Sequence, residues 1–464
     1  MNLFSQLAGW TLATNLIYIF WLSFVHPPLF FFILECAVVL LNILFIVNNR
    51  KRTYVLSGGP YSLRPIVDIF ITIKNENISL FEKTLFAATK ILYPNKRIYV
   101  LDDGNRREIE ELTEKNGCVY LTRKDSSLFP YKANNLNYGL KNSYGNFILV
   151  LDADMVASNN ILDNLLGFFN EEKVAIVATR QGFNLDRKDF NHDTLFYEYA
   201  QTGKNTFNAA ISCGSGVIYR RSALEKIGGF QEWNIVEDLY TSYVLHSNGF
   251  KSIYVSQSYT YGDAPTNISA IYKQRGTWAQ DTLRIFIFRN PLFQKGLSFF
   301  QRTQYFEMGF VYIVSGLIFP IMYSINMISL LTNNPIIDVG KEWYLIFRIP
   351  AFILSIYMFK KLSHEEKSVQ MWAGLFPIFF VAFFKALLYK KPVYKVTPKG
   401  LSPTSSYMLV WPQITLLIVG IFSVIFHLIT YGITWVFIIN SFWICVMIYY
   451  NLPIIIKSID IKYI

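Results

Sequence analysis

The chain has 464 residues, room for two or three domains at roughly 150 residues each. Hydrophobic residues make up 52% of it and charged residues only 16%, a balance that excludes an ordinary soluble enzyme. The net charge of +11 gathers beside apolar segments, so it requires no nucleic-acid partner.

Two apolar windows, residues 10–25 and 28–47, open the chain, and four more follow at 305–331, 343–359, 408–431 and 435–456. Each approaches the ~20 residues that a helix needs to cross hydrocarbon. Basic residues flank them at "NNRKR" (48–52), at Lys360 with Lys361, and at Lys457 with Lys462. If the spans alternate, all three clusters fall on one side, which the positive-inside rule makes cytoplasmic. The expectation is a multi-pass protein of the cell membrane, with both termini and a catalytic domain in the cytoplasm. The N-terminus lacks a basic n-region and an A-x-A site, so the first span should be retained. Cys36, Cys118, Cys213 and Cys445 have neither zinc nor redox spacing. The domain boundaries expected are 1–52 for two spans, 53–302 for the soluble domain and 303–464 for the remaining membrane region.

Within the polar middle, "IVDIFITIKNE" (66–76) and "PNKRIYVLDDGNRRE" (94–108) are β-branched runs ending in polar residues, separated by the helical spacing of "SLFEKTLFAATKILY". Alternating strands and helices predict a parallel sheet, whose ligands bind at the carboxyl ends of the strands. Two acidic clusters stand at such ends, Asp102 with Asp103 and Asp152 with Asp154. There is no G-x-G-x-x-G and no P-loop. In "FILVLDADMVAS" (147–158), continuing the strand by two residues would put the carboxylates of Asp152 and Asp154 side by side. Two ionised carboxylates so placed repel, and a cation between them would hold both charged.

Further motifs follow in order: "KANNLNYGL" from Lys132, "SCGSGVIYRR" (212–221), "VEDLYTSYVLHSNGF" (236–250), "QRGTWAQDTLRIF" (274–286), "NPLFQKGLSFFQR" (290–302) and "YKVTPKG" (394–400). With "VDIFITIKNE", "LDDGNRRE" and "LDADMV", this series resembles the processive family 2 glycosyltransferases, and among them the cellulose synthases, over residues 68–400. The resemblance implies a GT-A-like α/β domain with a mostly parallel sheet, inserted between transmembrane helices. It also implies a UDP-sugar substrate, UDP-glucose foremost, a β-glucan product threaded across the bilayer, and Mg2+ or Mn2+ as cofactor.

Residue by residue, the resemblance assigns Asp68, Asp102, Asp103, Lys132, Asp152, Gln274 and Arg275 to the nucleotide sugar, and Asp152 with Asp154 to the metal. Asp238 matches the general base. Cys213, Gly214, Glu237 and Trp278 would border the acceptor, with Trp278 stacked on its apolar face. Tyr394, Val396, Thr397 and Lys399 belong to a gating loop. Two departures stand out: Thr277 replaces the arginine of Q-x-x-R-W, with Arg275 or Arg284 as possible substitutes, and Val236 replaces the threonine of T-E-D. The short stretch after the last span leaves no room for the cyclic-di-GMP-binding domain found in many bacterial cellulose synthases.

The alternatives are a hyaluronan- or chitin-type synthase using UDP-N-acetylglucosamine, a synthase of β-1,3 or branched glucan, a lipid-linked monosaccharide transferase, and a non-catalytic polysaccharide channel subunit. Residues 364–391 read as an interfacial helix, with a seventh span as the alternative. Glu35 lies in the middle of the second span, where it either faces the polymer path or is a bundle-facing acid.

Overall fold

A computed structural model describes residues 3–61, 63–124, 131–185, 191, 193–265, 267–337, 341–363, 366–390 and 407–459. The gating-loop residues Tyr394, Val396, Thr397 and Lys399 lie outside them.

The soluble domain is built on strands β1 (Val67–Ile73), β2 (Lys96–Asp102), β3 (Val119–Thr122), β4 (Phe147–Asp152), β5 (Met155–Ala157), β6 (Val174–Phe183), β7 (Val217–Arg220) and β8 (Lys251–Gly262). Their order across one sheet is β3-β2-β1-β4-β7-β6-β8-β5. The first four neighbours are parallel, as the strand–helix alternation predicts. Beyond β4 the sheet is mixed: β7 runs antiparallel between β4 and β6, and β5 antiparallel to β8. All seven residues of β1 are buried, because the sheet is covered on both faces. Val67, Ile69, Ile71 and Ile73 enter one apolar layer with Leu149, Leu151 and Phe81, and Phe70 enters the other with Ile148, Val150 and Leu136. The two-residue period of the strand sorts these side chains. Cutting one of the large aliphatics to alanine would cost ~2–5 kcal/mol.

Six helices among the described residues are long and apolar enough to cross a membrane: Ser5–Phe24, Leu29–Asn49, Phe299–Thr332, Glu342–Lys361, Tyr407–Tyr431 and Trp435–Ser458. The third starts earlier than its apolar window, on a capping box between Ser298 and Gln301. Three of the basic-flanked ends meet the soluble domain. Asn48 and Asn49 lie against Gly203, Phe359 packs at a tilt on Phe45 near Tyr199, and Ile454 packs with Ile271 and Leu283.

The expected interfacial helix is two short ones, Glu366–Gly374 and Phe376–Leu387, broken at Leu375. The second lays Phe379, Ala382 and Ala386 against Ile268, Ala279 and Leu283 of the helix Ile268–Phe288. Neither is long enough to span.

Candidate active site

The carboxyl ends of β1, β2 and β4 lie side by side, with Thr72 beside Asp152 and Ile73 beside Asp102 in register. β4 ends at Asp152, and Ala153 with Asp154 turns into β5 instead of continuing the strand. Both aspartates nevertheless line one large cavity.

Lys132, the first residue of the helix Lys132–Lys141, is the charge that answers Asp152. Its Nζ donates to Asp152 Oδ1 at 2.5 Å and to the Gly214 carbonyl at 2.8 Å, and lies 3.6 Å from Glu237 Oε1. Burial pushes its pKa down, but the charges of Asp152 and Glu237 and the bond to Asp152 outweigh burial and raise it above the ordinary value. The 212–216 loop completes this corner. Ser215 Oγ accepts from the Asp152 amide at 3.0 Å. Gly214 has φ +80°, and a Cβ there would stand 3.3 Å from Asp238 Oδ2. Only glycine combines that backbone with that approach.

Glu237 and Asp238 open the helix Glu237–Ser247, whose free N–H groups favour negative charge. The Leu239 amide donates to Asp238 Oδ1 at 2.8 Å. Burial, and next the Glu237 charge, push the Asp238 carboxyl up to about 7, with Lys132 acting in the other direction. Glu237 is likewise raised, by burial opposed by Lys132. The segment before them is held from behind. Asp281 Oδ2 accepts from the amides of Ile235 and Val236, and Asp281 Oδ1 pairs with Arg284 at 2.8 Å, both side chains fully buried. Arg284 lies 4.6 Å from the Trp233 ring centroid, and Trp233 Nε1 donates to Tyr389 Oη at 3.0 Å, just before the undescribed 391–406 segment.

Asp103, Lys132, Asp152, Asp154, Cys213, Gly214, Glu237, Asp238, Gln274, Arg275 and Trp278 all line the cavity. Two of the expected residues do not, and both readings are corrected. Asp68 is the second residue of β1, at the amino end, about 13 Å from the ligand edge at ~3.3 Å per residue. Fully buried, it accepts from Arg221 Nη2 at 2.9 Å and from the Gly145 amide at 2.5 Å, a structural pairing. Asp102 is also fully buried. It accepts from the Gly104 and Arg106 amides at 2.7 and 2.8 Å and from Tyr120 Oη at 3.0 Å, and so shapes the turn that presents Asp103. At Gly104 a Cβ would fall 2.1 Å from the Lys74 carbonyl, so the turn admits no side chain.

Asp103 meets the buried Arg123 through two bonds of 2.9 and 2.8 Å. Neither proposed stand-in for the missing arginine supplies an uncommitted cation. Arg275 pairs with Asp193 at 2.6 Å and lies 4.8 Å from the Trp278 centroid, and Arg284 is locked on Asp281. Thr277 turns its hydroxyl onto the Lys273 carbonyl at 2.9 Å.

Motif reading passed over Glu76, Arg123, Asp193 and Ser215. Glu76 lines the cavity, and its carboxyl is pushed up by burial and by the charges of Asp154 and Asp152. Its place at the polar end of the first strand run was the available signal. Arg123 and Asp193 carried none, since each acts through a partner distant in sequence.

The cavity, of about 650 Å3, does not stop at the soluble domain. Its wall continues through Glu307 and Asn42 to Glu35 and Arg348, and on to Ile337 and Trp435 at the helix ends away from that domain.

Residues 65–280 match the glycosyltransferase-like family 2 model, and residues 225–373 match the cellulose synthase model. A cellulose synthase catalytic subunit [UDP-forming] of Pseudomonas fluorescens is 33% identical over 330 residues, 67% of this chain and 42% of that protein. A putative cellulose synthase 2 of Komagataeibacter xylinus is 24% identical over 428 residues, 86% of this chain and 28% of the relative. The matching region thus spans less than half the length of these curated relatives. Among solved structures, a mannosyltransferase from Pyrobaculum calidifontis, in complex with GDP-Man and Mn2+, superposes with a TM-score of 0.55 at 15% identity, covering 83% of this chain and all of the other. That likeness establishes the GT-A-like fold. Residues 65–280 thus form a family 2 glycosyltransferase-like domain, overlapped and followed by a cellulose synthase-like region, in a multi-pass membrane protein in which six helices among the described residues are long and apolar enough to cross a bilayer.

Proposed function

We propose that this chain polymerises a UDP-sugar, UDP-glucose foremost, into a β-glycan with inversion and passes the product across the bilayer through its own spans. One observation carries the proposal: a single cavity is lined at one end by Asp152, Asp154 and Asp238 and at the other by the far ends of the spans. The UDP-forming relative supports the nucleotide, and the three intact acids argue against a non-catalytic channel.

In this reading Asp238 takes the proton of the acceptor hydroxyl. That oxygen bonds to the anomeric carbon as the bond to UDP breaks, so an α-linked donor yields a β-linked product. A base with its pKa near 7 suits the task. Lys132, Asp152 and Asp103 with Arg123 face the nucleotide diphosphate and its nucleoside. Cys213, Gly214 and Trp278 border the acceptor, and Glu237 supports the base and Lys132.

Asp152 and Asp154, with Glu76 nearby, give an all-oxygen donor set that fits a hard divalent ion. Among the described residues no three such groups converge tightly enough to hold an ion alone, so diphosphate oxygens would complete its shell. Mg2+ or Mn2+ there would offset charge on the departing UDP. The Mn2+ of the Pyrobaculum mannosyltransferase supports that chemistry. The three basic-flanked helix ends on the transferase side favour a cytoplasmic domain.

The test is to offer purified, reconstituted protein a panel of radiolabelled UDP-sugars with Mg2+ or Mn2+ and digest any polymer with linkage-specific glycanases. A β-1,4-glucanase-sensitive product from UDP-glucose supports the reading. A chitinase- or hyaluronidase-sensitive product from UDP-N-acetylglucosamine moves the chain to the other synthase class. No UDP release with any donor refutes it.

A further inference from the structure

The helix Phe376–Leu387 ends in a turn better suited to glycine than to the residue it holds. Tyr389 has φ +56°, in the left-handed region that glycine enters freely and a bulky aromatic residue rarely does. Its amide donates to the Ala386 carbonyl at 2.9 Å, and the Lys390 amide to that of Lys385 at 3.0 Å, so the backbone closes the helix without help from the side chain. The side chain is turned to another part of the chain. Tyr389 Oη accepts from Trp233 Nε1 at 3.0 Å, and the ring meets Phe288 edge-on, 4.9 Å between centroids. The Arg284 guanidinium carbon lies 5.4 Å from the same ring. Beside it, Gln280 Nε2 donates to the Lys390 carbonyl at 2.6 Å.

These contacts reach the proposed base in a few steps. The Trp233 carbonyl accepts from Arg284 Nη2 at 3.3 Å, and the Arg284 and Arg289 guanidinium carbons lie 4.6 and 5.6 Å from the Trp233 ring centroid. Asn234 Nδ2 donates to the Asp281 carbonyl at 3.0 Å, and Asn234 Oδ1 accepts from the Val236 amide at 2.9 Å. The Asp281 carboxylate holds the amides of Ile235 and Val236. Each residue from Trp233 to Val236 is thus bonded to Asp281 or Arg284, and Glu237 and Asp238 follow directly. Stability does not demand the Trp233–Tyr389 bond. Tyr389 is 54% exposed, so its hydroxyl would find water if the indole were absent. A strained backbone under an exposed tyrosine, whose hydroxyl meets the segment leading into the base, points to function.

Resting on the reading of the chain as a glycan synthase, we propose that Trp233 and Tyr389 are positioning residues for the transfer step. Their hydrogen bond fastens the end of the helix Phe376–Leu387 to the segment that presents Asp238, and so holds the base against the acceptor hydroxyl. Asp281 and Arg284 fix that segment from the helix Ile268–Phe288, and Tyr389 fixes it from the end of a second helix. The base keeps its place only while both helices keep theirs. Misplacement on the order of 1 Å is enough to slow a reaction in which one carboxylate must meet one hydroxyl. Neither Trp233 nor Tyr389 lines the cavity, so binding of the donor does not depend on them.

The test measures UDP release by the full chain reconstituted in vesicles, with the UDP-sugar that the parent turns over best, in Tyr389→Phe, Trp233→Phe and the double variant. Each substitution keeps an aromatic ring and removes one partner of the bond. Each single variant should lower kcat by roughly three- to tenfold, the effect of one ordinary hydrogen bond, with KM for the donor unchanged. The double variant should lose no more than the more affected single variant, because all three lack the same bond. Losses that multiply, a change confined to KM, or parental kinetics in Tyr389→Phe overturn the proposal. Should Trp233→Phe not fold, Tyr389→Phe decides alone: a lower kcat at unchanged KM upholds the proposal and any other result overturns it. A parent that releases no UDP from any donor sinks the synthase reading instead, and amide hydrogen exchange then tests the fastening. Faster exchange over residues 234–239 in Tyr389→Phe than in the parent upholds it, and equal rates overturn it.

Discussion

Lys132 and Asp152, twenty residues apart in sequence, are joined by a 2.5 Å ion pair at the meeting point of three strand ends. The same ammonium stands near Glu237, so one cation organises the two acidic motifs on which the proposed chemistry depends. Replacing it removes the counter-charge that both share.

Lys132→Met should therefore lower kcat/KM by roughly 10²–10⁴-fold, the equivalent of ~3–5 kcal/mol for breaking a buried pair. Steady-state UDP release measures it. Lys132 holds the Asp238 pKa down, so the acid limb of the pH profile should also move to higher pH. A variant with parental kinetics would remove Lys132 from the site.

Asp238→Asn should abolish transfer, by ~10²–10⁴-fold for a general base, yet retain UDP-sugar binding in calorimetry. In the parent, kcat/KM should fall as pH drops below about 7, where this carboxyl takes up its proton. Lost binding together with lost turnover would give Asp238 a different role.

The strands that run straight into the site, β1, β2 and β4, are legible in the sequence because burial on both faces demands unbroken β-branched runs. The six spans are legible for the same reason, since hydrocarbon admits few polar residues. The second half of the sheet is not. β7 is four residues long, and its antiparallel insertion between β4 and β6 depends on contacts that no local pattern encodes. Among site residues, motif order finds Asp103, Lys132, Asp152 and Asp238 but cannot tell which end of β1 holds Asp68. Adjacent residues on a strand end face opposite ways, so Asp102 turns inward while Asp103 reaches the cavity. Asp281, which braces the residues before the acid pair from behind, sits on a helix in a stretch read for Gln274, Arg275, Thr277, Trp278 and Arg284 but not for its acid.

Asp281→Asn should loosen the Ile235–Val236 backbone and misplace Asp238, lowering kcat by up to ~10² with little change in KM for the donor. Single-turnover kinetics at saturating UDP-sugar distinguishes this from weakened binding. An effect confined to KM would contradict the bracing role.

His246 is buried between Tyr305 Oη at 2.7 Å and Ser252 Oγ at 2.8 Å, and burial, with the Lys204 charge, pushes its pKa down to about 3. The folded state keeps it neutral, whereas the unfolded chain binds a proton below about 6.5. Its contribution is thus fully present above that pH and is lost as pH falls toward 3, by ~1.4 kcal/mol per pH unit. Melting of detergent-solubilised protein should show the parent losing more stability than His246→Gln between pH 6.5 and 5. Parallel losses would mean that the imidazole is protonated in place.

The most direct measurement of the central claim supplies a radiolabelled UDP-sugar with Mg2+ or Mn2+ outside sealed vesicles whose transferase domains face outward. Because one cavity runs from Asp152, Asp154 and Asp238 to the far ends of the spans, polymer should accumulate inside, resistant to added glycanase until detergent opens the vesicles. Polymer that is digested without detergent, from vesicles shown to be sealed, would separate synthesis from transport and contradict the account.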